Sequence, residues 1–161
     1  MRSGSVSFAL LVAAGVMGCS TASSPVERTT LARFHLESRE AIGPRTILPQ
    51  SETEITVSAK PVFTEFDLTS VAIVETELGK CLSFQLTAAA ARDLYRLSVM
   101  NVGQRLVLTV DGKAMGARRI EEPIDDGVLL VFIEMADDQL PALKTALVNT
   151  SAEFQRLARK L

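Results

Sequence analysis

Residues 31–37 (LARFHLE) alternate apolar and polar side chains, the period-two pattern of a strand with one buried face. Residues 54–59 (EITVSA) predict a second, shorter strand. Between them, residues 41–50 hold Gly43, Pro44 and Pro49 and read as a turn-rich connection. Residues 61–68 read as a loop carrying a turn, anchored by Phe63 and Phe66. The signal sharpens at 71–76 and 81–86, two apolar or β-branched runs around Glu77-Leu78-Gly79-Lys80. That spacing predicts a hairpin with glycine at a positive-φ position. In its second strand Leu82, Phe84 and Leu86 share one face, Ser83 and Gln85 the other.

The period then changes. Thr87 precedes four alanines, and its hydroxyl is placed to accept an orphan amide of a first helical turn. Ala90, Leu94, Leu97 and Asn101 recur at helical spacing, Arg92 and Arg96 face water, and Gly103 ends the helix. Residues 105–110 (RLVLTV) and the run from Lys113 are joined by Asp111-Gly112, a two-residue turn that requires positive φ at both positions. Asp126-Gly127 repeats the signal between a strand ending near Ile124 and residues 128–134. Pro123 donates no ladder hydrogen bond, so its strand is expected at an edge or at its end. Asp137 or Asp138 is the expected cap of a last helix, with Pro141 in its first turn. Leu140, Leu143, Leu147, Phe154, Leu157 and Leu161 mark its apolar stripe, with a break expected near Asn149-Thr150. Hairpins and two amphipathic helices make residues 31–161 one α+β domain with an antiparallel sheet.

Residues 128–133 (VLLVFI) depart from alternation. Six apolar residues in a row put hydrophobic side chains on both faces of a strand. Either this chain covers both faces, with the N-terminal segment packed on the second, or one face meets a partner. The expectation is full coverage. The other reading makes Val128, Leu130 and Phe132 a partner surface.

Upstream of the domain, Arg2 is followed by an apolar run at residues 8–17, too short to span a bilayer. Val16-Met17-Gly18-Cys19 resembles the lipobox cut by the lipoprotein signal peptidase. Residues 1–18 are therefore read as a lipoprotein signal peptide and Cys19 as the lipidated residue. Residues 20–30 (STASSPVERTT) are small, polar and interrupted by proline, and read as a flexible tether. Ser20, not aspartate, follows the cysteine and favours the outer over the inner membrane.

Composition removes several classes of function. The formal net charge is −2, and no basic stripe offers a nucleic-acid footprint. With Cys19 acylated, Cys81 stands alone, which excludes an internal disulfide and predicts a buried, inert thiol. His35 is the only histidine and lies far along the chain from either cysteine, so no metal set is expected. No G-x-S-x-G elbow and no phosphate-cradling glycine loop appears, and a hydrolase built on His35 is disfavoured. Glu121, Glu122, Asp125 and Asp126 lack the calcium-loop pattern and read as a solvated turn. No cofactor is expected.

The order of motifs within residues 84–124 is distinctive. FQLT leads into a helix, then Asn101-Val102-Gly103-Gln104-Arg105-Leu106, then LTV with Asp111-Gly112-Lys113, then Ile120 and Pro123-Ile124. This set resembles the head subdomain of the first periplasmic domain of the SecD and SecDF family of protein-export subunits. Residues 72–134 are the core of the likeness. Asn101, Gly103, Asp111 and Gly112 fall on the family's motif, and backbone geometry alone accounts for the last two. The resemblance implies a ferredoxin-like or SecD-head-like α+β fold in the periplasm. It implies contact with emerging or unfolded polypeptide, and no active site. Two departures stand out. Ala117-Arg118 replaces a common alanine-proline step, and no later segment has the length of a transmembrane helix. Proton-driven export is therefore not implied, and only docking is.

The expected function is that of a lipid-anchored periplasmic lipoprotein. It would dock translocated polypeptides or envelope proteins through its domain, without catalysis. The alternative is a structural or self-associating envelope lipoprotein unrelated to export. The sequence does not fix an oligomeric state.

Overall fold

The strand at Arg105–Val110 has five consecutive buried residues after its first, which requires cover on both faces. Three layers supply it in the computed structural model, which describes residues 29–40 and 42–160. The signal-peptide reading of residues 1–18, the lipidation of Cys19 and tether residues 20–28 lie outside the described residues. In chain order the elements are β1 (Ala32–Leu36), β2 (Arg45–Ile47), β3 (Glu54–Thr56), a 3₁₀ turn (Glu65–Asp67), β4 (Leu68–Thr76), β5 (Gly79–Leu86), α1 (Ala88–Met100), β6 (Arg105–Val110), β7 (Lys113–Arg119), β8 (Val128–Val131) and α2 (Leu140–Ala158).

β6 is the centre of the sheet β1-β6-β7, and both of its pairings are antiparallel. Asp111 at φ 50° and Gly112 at φ 81° close the β6–β7 hairpin in the two-positive-φ turn that the dipeptide predicts. One face of this sheet carries Ala32, Phe34, Leu106, Leu108 and Val110 into the main core. The other face is sealed by the β2–β3 hairpin, whose Ile55 joins Leu48 and Val57 against Val107 and Ala114. Glu134 fastens that hairpin's loop, accepting the Gln50 and Ser51 amides at 2.8 and 2.9 Å and the Ser51 hydroxyl at 2.7 Å. Burial pushes the Glu134 carboxyl up, but these donors outweigh it and hold it below its ordinary range.

The second sheet, β4-β5-β8, is also antiparallel throughout. Leu82, Phe84 and Leu86 of β5 point into the shared core, and Phe84 meets Phe34 edge-on at 5.2 Å. α1 closes this core with Ala90 and Leu94, and α2 with Leu140 and Leu147. The Thr87 hydroxyl accepts the Ala90 amide at 3.2 Å, a cap that contributes about 1 kcal/mol. The architecture is thus α+β with antiparallel sheets and two helices. From β5 onward the order is β-α-β-β-β-α, so α2 follows the last strand, whereas a ferredoxin-like order sets its second helix before it.

Five local expectations need correction. Residues 41–50 contain β2, because Arg45 and Ile47 pair with Thr56 and Glu54. Asp126-Gly127 joins no hairpin. β7 ends at Arg119, Ile120 turns into the core, and the Ile124 amide donates to the buried Ser98 hydroxyl of α1 at 2.9 Å. Pro123 therefore lies in no strand, and β8 pairs with β5 instead. α2 begins after Gln139 without a side-chain cap from Asp137 or Asp138. It also runs unbroken through Asn149-Thr150, because the Ser151 hydroxyl donates to the Val148 carbonyl and the Thr150 hydroxyl accepts the Thr30 amide. Thr30, assigned to the tether, is thereby docked on the domain, and the Leu31 amide donates to Asp111 Oδ1 at 2.8 Å. Of the two loop anchors, Phe63 is buried, while Phe66 is half exposed against Phe154.

Candidate functional site

β8 divides its apolar run cleanly. Leu129 and Val131 are fully buried in the core, and Ile133 follows them inward. Val128 and Leu130 lie on the opposite face, half-buried, and Phe132 just beyond the strand is 40% exposed. Register sets Ser83 beside Leu130 and Gln85 beside Val128, with Ala72 and Ser70 next on β4. The chain covers that face only in part: Ser70, Ala72 and Gln85 are exposed, Val128 and Leu130 half-buried, and Cys81 fully buried. The N-terminal segment expected on this face packs elsewhere, with Ile55 and Val57 against Val107 and Ala114. The β2–β3 hairpin seals the other sheet, packing on Val107, Ala114 and Ala117.

A shallow groove of about 300 Å³ runs along the edge of this partly covered face. Leu130 and Phe132 form its apolar side, and Ala117, Arg118, Arg119, Glu121 and Glu122 form the other. Backbone packing builds it. The chain at Val131-Phe132 crosses β7 at Gly116, and the Glu134 amide donates to the Met115 carbonyl at 2.7 Å. Arg118 reaches the Val128 carbonyl at 3.4 Å. Ile120 is fully buried, while Arg119, Glu121 and Glu122 on either side of it are exposed. The five ion pairs among the described residues use none of these rim charges.

Elsewhere several charges are internally matched. The Glu37 carboxylate takes the Arg105 guanidinium at 2.6 and 3.0 Å and the Arg105 amide at 3.0 Å. The Arg105 hydrogen bond holds Glu37 below its ordinary value against the opposing effect of burial. A hollow of about 580 Å³ between β1 and β2 contains Arg33, His35, Arg45 and Asp111. Arg33 is paired with Glu65, Arg45 with Glu54, and Asp111 with the Leu31 amide. His35 Nδ1 lies 2.9 Å from the Ser58 carbonyl, which only accepts, so Nδ1 carries the proton. A larger hollow of about 950 Å³ follows one flank of α2, lined mainly by small side chains. Among the described residues no three His, Cys, Asp or Glu side chains converge on a metal-sized site.

The motif residues have backbone roles. Asn101 caps α1 and donates to the Leu97 carbonyl at 2.8 Å, and Gly103 at φ 89° sends its amide to the Ile120 carbonyl. They stand at one end of β6, and Asp111-Gly112 stand at the other. None of the four lines the groove beside Phe132. Cys81, one register step from Ser83 on the outward side of the β4-β5-β8 sheet, is fully buried. Burial pushes its thiol up, against a smaller opposing effect of Arg118, which leaves an inert side chain. Among the described residues no helix is long and apolar enough to cross a membrane. Sequence reasoning placed Glu121 and Glu122 in a solvated turn and did not connect them with Arg119 or Phe132. The pattern Arg-Arg-Ile-Glu-Glu, one buried residue between two charged pairs, is their trace in the sequence.

Against known proteins, no family model matches the chain, and no curated protein sequence matches it. Two of the solved structures similar to it are of SecDF. One is of a membrane component, SecDF, that enhances protein export, with a TM-score of 0.57 and 21% identity. That match covers 78% of this chain and 64% of the SecDF chain. The other is SecDF in a super-membrane-facing form, also with a TM-score of 0.57 and 21% identity, covering 78% of this chain and 19% of that one. The chain thus spans less than two thirds of the first structure and about a fifth of the second. At this identity the likeness establishes a SecDF-like fold.

Proposed function

We propose that the chain is a lipid-tethered docking module on the periplasmic side of the envelope, which holds polypeptide against the partly covered face of β8 and performs no chemistry of its own. The observation that carries this reading is the apolar row of half-buried Val128 and Leu130 and exposed Phe132, in a domain whose other sheet is sealed on both sides. The SecDF-like fold supports a role beside protein export, because one structure similar to it is of a protein described as enhancing export. The lipobox ending at Cys19 supports the tether. Two or three acyl chains, at about 0.8 kcal/mol per buried CH₂, hold a protein stably where one does not.

Two measurements test the reading. The N-terminal peptide of protein purified from intact cells should begin at an acylated Cys19 by mass spectrometry. An unmodified Cys19 thiol overturns the tether. Separately, the chain should bind a permanently unfolded, carboxymethylated polypeptide in fluorescence anisotropy. Phe132→Asp should weaken that binding by about tenfold or more, the scale of a central aromatic contact. It should lower the urea midpoint only in part, since Phe132 is 40% exposed, and the binding loss should persist in urea-free buffer where the variant is folded. Equal binding by the variant removes the β8 face from the reading.

A further inference from the structure

The rim of the groove carries charge of both signs, and its order along the chain is fixed. Arg119 comes first, then buried Ile120, then Glu121 and Glu122. None of these three side chains forms an ion pair among the described residues. Arg119 acts on Glu37 through its charge, but both Glu37 carboxylate oxygens are taken by Arg105, so the Arg119 guanidinium remains without a direct ion pair. The rim therefore presents one positive and one negative station beside an apolar wall of Leu130 and Phe132.

We infer that this groove selects extended polypeptide segments in which an apolar residue is flanked by one acidic and one basic residue. The inference rests on the docking reading and specifies its ligand. The two stations are two or three residues apart along the rim, about 7–10 Å in an extended chain. A bound strand repeats side chains on one face about every 7 Å, so it meets both stations while its apolar residue lies on Phe132. A segment with two basic flanks faces Arg119 with like charge. A segment with two acidic flanks faces the glutamates in the same way. Exposed charges contribute little each, so the selection is modest and sensitive to salt.

Three short fluorescent peptides test it against the full-length chain. They share one apolar centre and differ only in their charged flanks: one acid and one base, two bases, or two acids. The mixed peptide should bind about fivefold tighter than either of the others at low salt, and the difference should vanish near about 1 M salt. Arg119→Glu, which leaves Arg118, engaged with the Val128 carbonyl, as the one basic side chain lining the groove, should move the preference to the doubly basic peptide. A uniformly charged peptide that binds as well as the mixed one, or an unchanged order with Arg119→Glu, overturns this inference alone. Failure of all three peptides to bind overturns it together with the docking reading.

Discussion

Arg33→Met should lower stability by about 3 kcal/mol at neutral pH, and most of that loss should disappear in acid. Glu65 is 5% exposed, and its carboxylate is held by the Arg33 Nε and Nη2 groups, both at 3.2 Å. Burial pushes the Glu65 carboxyl up, but the Arg33 hydrogen bonds and a backbone donor outweigh burial and keep it below its ordinary value. A carboxyl depressed in the folded state adds stability above its unfolded pKa, and that stability is lost as pH falls through the folded pKa. Removing the guanidinium reverses the sign. The stranded carboxyl is raised by burial, so folding then favours its protonated form, and the variant recovers as pH falls. Breaking a buried pair costs about 3–5 kcal/mol, and the low end applies because Arg33 is partly open to water. Urea unfolding of both chains at neutral and at acid pH measures the gap. A gap that stays constant with pH would show that Arg33 acts through packing of its stem and not through the charge of Glu65.

Features set by two or three adjacent residues were legible in the sequence. Gly79 at φ 116° and the Asp111-Gly112 pair mark the β4–β5 and β6–β7 hairpins because the backbone there needs positive φ. Thr87 marks the start of α1 because capping is local. Features that depend on a distant partner were not. Asp126-Gly127 carries a hairpin signature, yet the preceding segment is claimed by Ser98, and β8 pairs with β5 across more than forty positions. Asn149-Thr150-Ser151 weakens a helix in isolation, yet it is stabilised by Thr30, a residue at the other end of the domain. The candidate site divides in the same way. Which residues of the run at 128–133 share a face follows from the period of a strand. Which face stays partly open depends on where the β2–β3 hairpin packs, and nothing in VLLVFI encodes that.

Gly116→Val should be the most damaging single change to the site and one of the most damaging to the fold. Gly116 is absent from the positive-φ glycines, so its backbone tolerates a side chain and the constraint is space. A Cβ there would collide with the Phe132 carbonyl oxygen and lie 2.9 Å from Val131 Cγ1. The first of these is backbone and cannot swing aside as a side-chain tip does. β8 would have to lift from β7, which pulls Glu134 from its bond to the Met115 carbonyl and Arg118 from Val128. Overpacking of this kind costs about 1–3 kcal/mol for a modest misfit, and a β-branched residue against a backbone carbonyl belongs at or above the upper figure. The same shift moves Phe132 and Leu130 relative to Arg119 and Glu121, so polypeptide binding should fall even where the variant remains folded. Gly116→Ala should show both effects in smaller measure. Urea midpoints and anisotropy titrations of the two variants separate the losses. Native stability with a valine at this position would mean that β7 and β8 do not make the close backbone contact on which the groove is built.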